Sequence, residues 1–233
     1  MWFWNKKHTI NEFIAQLNDI ELAALVCGEG LNSPKVTAGA AGALGGQTES
    51  LSDYGIPACC VADGPSGIKI SKEYETTLLP NGTMLACTWN TEIVKELYEA
   101  IGGELKKYDV DSLLGPGLNI HRSPLCGRNF EYFSEDPYLS GKIGAYITKG
   151  VAEHGTYSTI KHLCCNNQEK SRADYDVTVS ERALREIYLK PFEIAVKEGR
   201  NVLIMTSYNS VNGFWSASNY DLTKVILRDD WGY

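Results

Sequence analysis

Asp111-Ser-Leu-Leu114, followed at once by Gly115-Pro-Gly117, is the stretch on which the fold turns. The run is too short for a helix and is closed by a Gly-Pro-Gly breaker, so it reads as a brief buried strand with its exit loop. On either side the period changes. Residues 91–107 before it and about 138–154 after it carry apolar side chains at helical spacing. Outward from there the alternation repeats. Residues 58–62, ended by Asp63-Gly-Pro65, form a second apolar run, residues 157–163 a third, and residues 201–208 a fourth. Further helices are expected over 11–27, over 180–198 behind the N-cap Ser180, and over 222–228. Residues 28–52 and 164–178 read as loops.

Strands alternating with helices of this length signal βαβ units and a parallel sheet. A closed barrel of this kind needs eight strands and about 250 residues, whereas only four strands are read here. The expected fold class is therefore α/β, an incomplete (β/α)8 TIM-type barrel with about four βα units, occupying residues 1–233 as one domain. Hydrophobic residues make up 43% of the chain and charged residues 22%, the ordinary globular mixture, so a buried core is expected and disorder is not. A net charge of −7 argues against nucleic acid, whose binding requires clustered Lys and Arg. No stretch approaches the roughly 20 apolar residues of a membrane span, and residues 1–11 lack the apolar run of a signal peptide. A cytoplasmic location is expected. The seven cysteines contain no CxxC and read mainly as small buried apolar residues in a reducing compartment; no spacing supports zinc, and no cofactor is expected.

In βα barrels the active site gathers at the C-terminal strand ends, and the conspicuous polar residues fall there. Asp63 follows the first strand; Asn119, His121, Arg122 and Arg128 follow the second. Lys161 and His162 end the third, with Arg172 in its loop, and Met205 and Tyr208 end the fourth. A carboxylate among guanidinium, ammonium, imidazole and phenol groups suits a neutral polyhydroxylated ligand, because hydroxyls both donate and accept. A phosphate ligand would call for a Gly-rich helix start, and neither GxGxxG nor a P-loop occurs.

The run Gly115-Pro-Gly-Leu-Asn-Ile-His-Arg-Ser-Pro-Leu-Cys-Gly-Arg-Asn-Phe-Glu-Tyr-Phe-Ser-Glu-Asp-Pro137 closely resembles the signature of glycoside hydrolase family 3. So do Asp63-Gly-Pro-Ser-Gly67, Lys161-His-Leu-Cys-Cys-Asn-Asn-Gln-Glu169 and Met205-Thr-Ser-Tyr-Asn209, in matching order from about Asn11 onward. The NNQE form is similar to the β-glucosidase branch. The resemblance implies an exo-acting, retaining hydrolase of terminal non-reducing β-D-glucosyl residues, with a β-glucoside or oligosaccharide as its small-molecule partner. It implies that Asp63 grips the outer hydroxyls of the terminal sugar and that Arg128, Lys161 and His162 donate to neighbouring hydroxyls. Arg172 and Tyr208 would orient the nucleophile, and Met205 would line the pocket. Lys69 stands where relatives often carry Arg, which loses the guanidinium fork. The family's nucleophilic Asp is expected within roughly ten residues beyond Tyr233 and the acid/base Glu farther on. The 233 residues alone are then expected to be inactive, with the rest of the same protein as their missing partner.

Competing readings stand beside this one. A β-xylosidase or other β-glycosidase specificity is the alternative enzyme, and a non-catalytic sugar-binding remnant the alternative outside catalysis. Asp63 alone could cap a turn. His121 and Arg122 could as well brace their long loop. Glu131, Glu135 and Asp136 lie close together in one loop, where salt bridges and a helix N-cap are expected rather than a catalytic carboxylate pair. Trp2, Trp4, Trp89 and Trp215 could stack on sugar, though core packing is the default for tryptophan.

Overall fold

The computed structural model describes residues 9–31, 33–200 and 202–233. Trp2, Trp4 and Asn201, the first residue of the last expected strand, lie outside the described residues.

Four parallel strands form the body of the sheet: β2 (Ala58–Asp63), β3 (Ser112–Leu114), β4 (Tyr157–Leu163) and β6 (Val202–Thr206), adjacent in chain order. They curl into part of a barrel wall, as expected. One strand is added to that expectation. β1 (Gly42–Gly45) lies in the stretch read as loop and pairs antiparallel with β2, Ala43 opposite Cys60. Its sequence, Gly-Ala-Leu-Gly, has little β propensity. Glycine is required by close approach: a Cβ on Gly42 would stand 2.4 Å from the Glu29 carbonyl oxygen. The loop after β4 likewise contains a two-residue strand, β5 (Asp176–Val177), which joins β7 (Ser210–Val211) and β8 (Phe214–Trp215) in a small second sheet.

The long helices follow their sequence signals. α5 (Thr91–Lys107) is capped by Asn90, whose side chain accepts from Glu92 and Ile93 N–H. It buries Val94, Tyr98, Ile101 and Leu105, one stripe at helical spacing. α6 (Pro137–Ala152) starts at the Asp136 cap with Pro137 in its first turn; it packs against α5, against α8 (Lys190–Glu198) and against β4. Two helices are broken where one was expected. Residues 11–27 divide into α1 (Ile10–Ile14) and α2 (Asp19–Cys27), each opened by its own capping box, Thr9 with Glu12 and Asn18 with Glu21. Residues 180–198 divide into α7 (Glu181–Ala183), a π-helical turn over Leu184–Tyr188, and α8. Pro191 lacks an N–H and its ring crowds the carbonyl four residues back; the wide turn closes instead with Leu189 N–H donating to Leu184 O at 2.8 Å. The last helix, Asp221–Asp230, is longer than expected and also π-helical.

One hydrophobic core unites β2, β3 and β4 with α5, α6, α8 and the last helix. Among the described residues no helix is long and apolar enough to cross a membrane. Cys60, Cys126, Cys164 and Cys165 are buried as expected, whereas Cys27 and Cys87 are exposed. Trp89 and Trp215 depart from the default of core packing: both are exposed, and the Trp215 indole donates to Tyr208 O at 2.9 Å.

Candidate functional site

Every parallel strand delivers polar groups at its C-terminal end. β2 ends on Asp63, whose Oδ1 lies 3.1 Å from Lys161 Nζ. The lysine side chain is 4% exposed and the aspartate 47%, so the pair runs from the floor of the site to its mouth. The loop after β3 supplies a second carboxylate. Glu131, in the 3-10 turn Asn129–Glu131, is buried, stands 3.5 Å from the same ammonium, and pairs with Arg128 Nε. The result is a row of alternating charge, Arg128, Glu131, Lys161, Asp63. Burial works against the charge on Arg128 and Glu131 restores it, so that its pKa is raised.

Lys161 and His162 are consecutive in β4, and a regular strand would send them to opposite faces. The β4–β6 ladder shifts register between Lys161 and Leu163, an irregularity of the kind that re-aims side chains, and both residues are buried among polar groups. Asn119 clamps the histidine backbone: His162 N–H donates to Asn119 Oδ1, and Asn119 Nδ2 donates to His162 O, each at 2.9 Å. The ring Nδ1 sits 3.2 Å from both Asn119 Oδ1 and the Tyr132 hydroxyl. Among the described residues Nε2 has no hydrogen-bond partner, which leaves it for a ligand. Burial, reinforced by the charges of Arg128, Lys161 and Arg172, pushes the imidazole pKa down to about 2. His162 is thus neutral at any ordinary pH.

From His162 the network continues to the loop after β4. Asn166 Nδ2 donates to the Tyr132 hydroxyl at 3.0 Å and to Glu169 Oε1 at 3.1 Å. Glu169 in turn accepts from Arg172 at 2.8 Å, and the Arg172 guanidinium lies 5.0 Å from the Tyr208 ring centroid, within cation–π range. Tyr208, just past β6, is exposed; Met205 is half-buried in β6 directly opposite Lys161 in the ladder.

All seven expected site residues therefore lie at the strand ends or in the loops that leave them. Arg128 and Lys161 are joined through Glu131, Asp63 through Lys161, and His162 and Arg172 through Tyr132, Asn166 and Glu169. Among the described residues the Met205 side chain makes no polar contact. Tyr132, Asn166 and Glu169 are connecting residues that the sequence did not single out, although all three sit inside the quoted motifs. Glu131 forms the salt bridges expected of it, and Asp136 the N-cap, accepting from Leu139 N–H at 2.7 Å. His121 braces its loop: Nε2 lies 2.9 Å from Asn129 O, and its N–H donates to Ser134 O at 3.0 Å. Arg122 lines a neighbouring cleft of about 810 Å³ with Cys126, Cys165, Glu169 and Tyr175. That cleft lies beside the charged row and touches none of Asp63, Arg128 or Lys161. Convergent polar groups mark a binding site better than volume does, and the row rests on the open wall of the curled sheet. Among the described residues no cluster of His, Cys, Asp and Glu is placed to hold a metal ion.

Comparison with known proteins agrees on one family. The model of the glycosyl hydrolase family 3 N-terminal domain matches residues 3–233. A β-glucosidase of Ruminococcus albus is 52% identical over 227 residues, 97% of this chain and 24% of that protein. The crystal structure of a β-glucosidase from Paenibacillus barengoltzii superposes with a TM-score of 0.95 at 57% identity, covering 98% of this chain and 25% of that one. β-Glucosidase 3B of Thermotoga neapolitana, solved in complex with α-D-glucose, superposes at 0.88 with 45% identity, covering 97% of this chain and 33% of that one. The chain spans about a quarter of the length of curated relatives that it matches. It belongs to glycosyl hydrolase family 3, by the match of its residues 3–233 to that family's N-terminal domain.

Proposed function

We propose that these 233 residues form the sugar-binding wall of an exo-acting, retaining β-glucosidase that removes terminal non-reducing β-D-glucosyl residues. The observation that carries the reading is the alternating row Arg128, Glu131, Lys161, Asp63 on one rim of parallel strands. A row of balanced charge with donors and acceptors in alternation suits sugar hydroxyls, each of which can accept from a cation and donate to a carboxylate. In this reading Asp63 accepts from the outer hydroxyls of the terminal glucosyl unit. Arg128 and Lys161 donate to its neighbours, and His162 meets the ring through Nε2. Arg172 and Tyr208 line the side toward the reacting carbon, with Met205 beneath.

Retaining hydrolysis needs one carboxylate to attack the anomeric carbon and a second to protonate the leaving oxygen. Asp63, Glu131 and Glu169 are each held by a cation; Asp63 meets the sugar, the two glutamates hold the cations that donate to it, and the two reacting carboxylates belong to residues outside these 233. The test is hydrolysis of an aryl β-D-glucoside by the full-length gene product, with the first-formed anomer followed by proton NMR. The β-anomer of glucose is expected first. Release of the α-anomer, or hydrolysis of the β-xyloside in preference to the glucoside, overturns the assignment.

A further inference from the structure

We propose that Glu131 is a positioning residue for the sugar: it aims Lys161 and Arg128 and cancels one of their charges, so that the site accepts a neutral ligand and rejects an anion. The inference rests on the sugar-binding reading and assigns to that site a residue that touches no ligand itself.

Donor counting supports the aiming role. An ammonium has three N–H donors in tetrahedral arrangement. Lys161 donates one to Asp63 at 3.1 Å, and its ammonium stands in an ion pair with Glu131 at 3.5 Å. Held by two carboxylates, the ammonium is kept in place and still has a donor for a ligand. On Arg128 the contact with Glu131 is made by Nε, which leaves both terminal nitrogens of the fork for a ligand. The Glu131 side chain is only 2% exposed, whereas Asp63 is half exposed. Glu131 thus works from behind the cations, and Asp63 stands at the mouth with the ligand.

Charge counting supports the second role. Arg128 and Lys161 carry two positive charges, Glu131 and Asp63 two negative ones. Arg172 is separately matched by Glu169 at 2.8 Å. Replacing Glu131 by glutamine leaves one uncompensated positive charge among buried groups, where charge is poorly screened. Such a site attracts small oxyanions, for which guanidinium and ammonium donors are well shaped.

The experiment compares wild type, Glu131→Gln and Glu131→Asp in the full-length gene product, well below each protein's melting temperature. Glucose affinity and sulfate affinity are measured separately by calorimetry. Glu131→Gln is expected to weaken glucose binding about tenfold or more and to acquire sulfate binding that the wild type lacks. Glu131→Asp keeps the charge but draws the carboxylate back by one methylene. It is expected to weaken glucose binding less than Glu131→Gln and to bind no sulfate, so the proposal remains testable if the glutamine variant does not fold. A folded Glu131→Gln protein with wild-type glucose affinity and no sulfate binding makes Glu131 a packing residue and overturns the proposal; so does an aspartate variant that binds sulfate. A wild type that binds no glucose refutes the sugar reading instead, and the sulfate comparison, which uses no sugar, still decides the charge-cancelling role.

Discussion

Asp63 is the member of the charged row that an incoming ligand meets first, because its side chain is 47% exposed while Lys161 behind it is 4% exposed. Asparagine at this position keeps the shape, removes the charge and turns one acceptor oxygen into a donor amide that confronts either the Lys161 ammonium or the sugar. Hydrogen bonds to charged groups are worth roughly 1.5–3 kcal/mol each. With two sugar hydroxyls donating to Asp63, Asp63→Asn in the full-length gene product is expected to cost about 3–6 kcal/mol in kcat/KM for an aryl β-glucoside. The loss should be smaller for the β-xyloside, which lacks the hydroxymethyl group. Equal and small losses on both substrates would reduce Asp63 to a turn residue. At this scale the ends of the network were legible in the sequence and the middle was not. Asp63, Arg128, Lys161 and Arg172 carry charge at expected strand ends, which is a signal on sight. Glu131 and Glu169 carry charge too, but whether a carboxylate faces the site or a neighbouring cation depends on a 3-10 turn and on loop packing. Tyr132 and Asn166 are ordinary polar residues until their burial is known.

The crossing of α5 and α6 sets where the strands between them point, and it is made backbone to backbone. A Cβ on Gly150 of α6 would lie 2.4 Å from the Lys95 carbonyl oxygen, and one on Gly102 of α5 would lie 2.6 Å from the Val151 carbonyl oxygen. Neither neighbour is a flexible side-chain end. Gly150→Ala is expected to force the helices apart and lose about 1–3 kcal/mol of stability. Gly103, one residue along α5, is the control: the nearest atom to its Cβ would be in the His154 ring at 3.5 Å, ordinary contact. Gly103→Ala should gain about 0.5–1 kcal/mol through helix propensity. Denaturant midpoints of the two variants check both signs, and a Gly150→Ala protein as stable as wild type would show that the helices separate freely. The same helices explain what periodicity reveals. α5 announces itself by a stripe of four apolar residues at helical spacing, and its range agrees with the one expected. The interruptions at Leu184–Tyr188 and between α1 and α2 have local causes, a proline and a second capping box, which a long apolar periodicity conceals. β1 was illegible for the opposite reason: Gly42–Gly45 is a strand because Gly42 lets the chain approach Glu29 and Gly45 lets it approach Pro57, and close approach has no signature in hydropathy.

The sheet as a whole has two unlike edges. On one side β1 pairs antiparallel with β2; on the other β6 is hydrogen-bonded to β4 alone, and all five of its residues are half-buried whereas β4 is buried from Ser158 to Leu163. The free side of β6 is Val-Leu-Ile-Met-Thr, apolar and uncharged, the kind of edge through which chains pair. Among the described residues the Tyr233 hydroxyl donates to the Val202 carbonyl of this strand at 3.3 Å. Against pairing stands the net charge of −7, which makes copies of the chain repel one another. The two effects respond oppositely to salt. Repulsion between surface charges is screened over about 8 Å at physiological ionic strength and about 3 Å at 1 M, whereas burial of an apolar edge is not weakened by screening. The 233 residues produced alone are therefore expected to self-associate at micromolar concentration, and to do so more strongly as sodium chloride rises from about 0.01 M to 1 M. Sedimentation velocity across that range measures it. Association that weakens with salt would place the contact between charged surfaces and not at β6, and a monodisperse monomer with a sharp, cooperative melt at every salt concentration would show that the β6 edge is already covered within the chain.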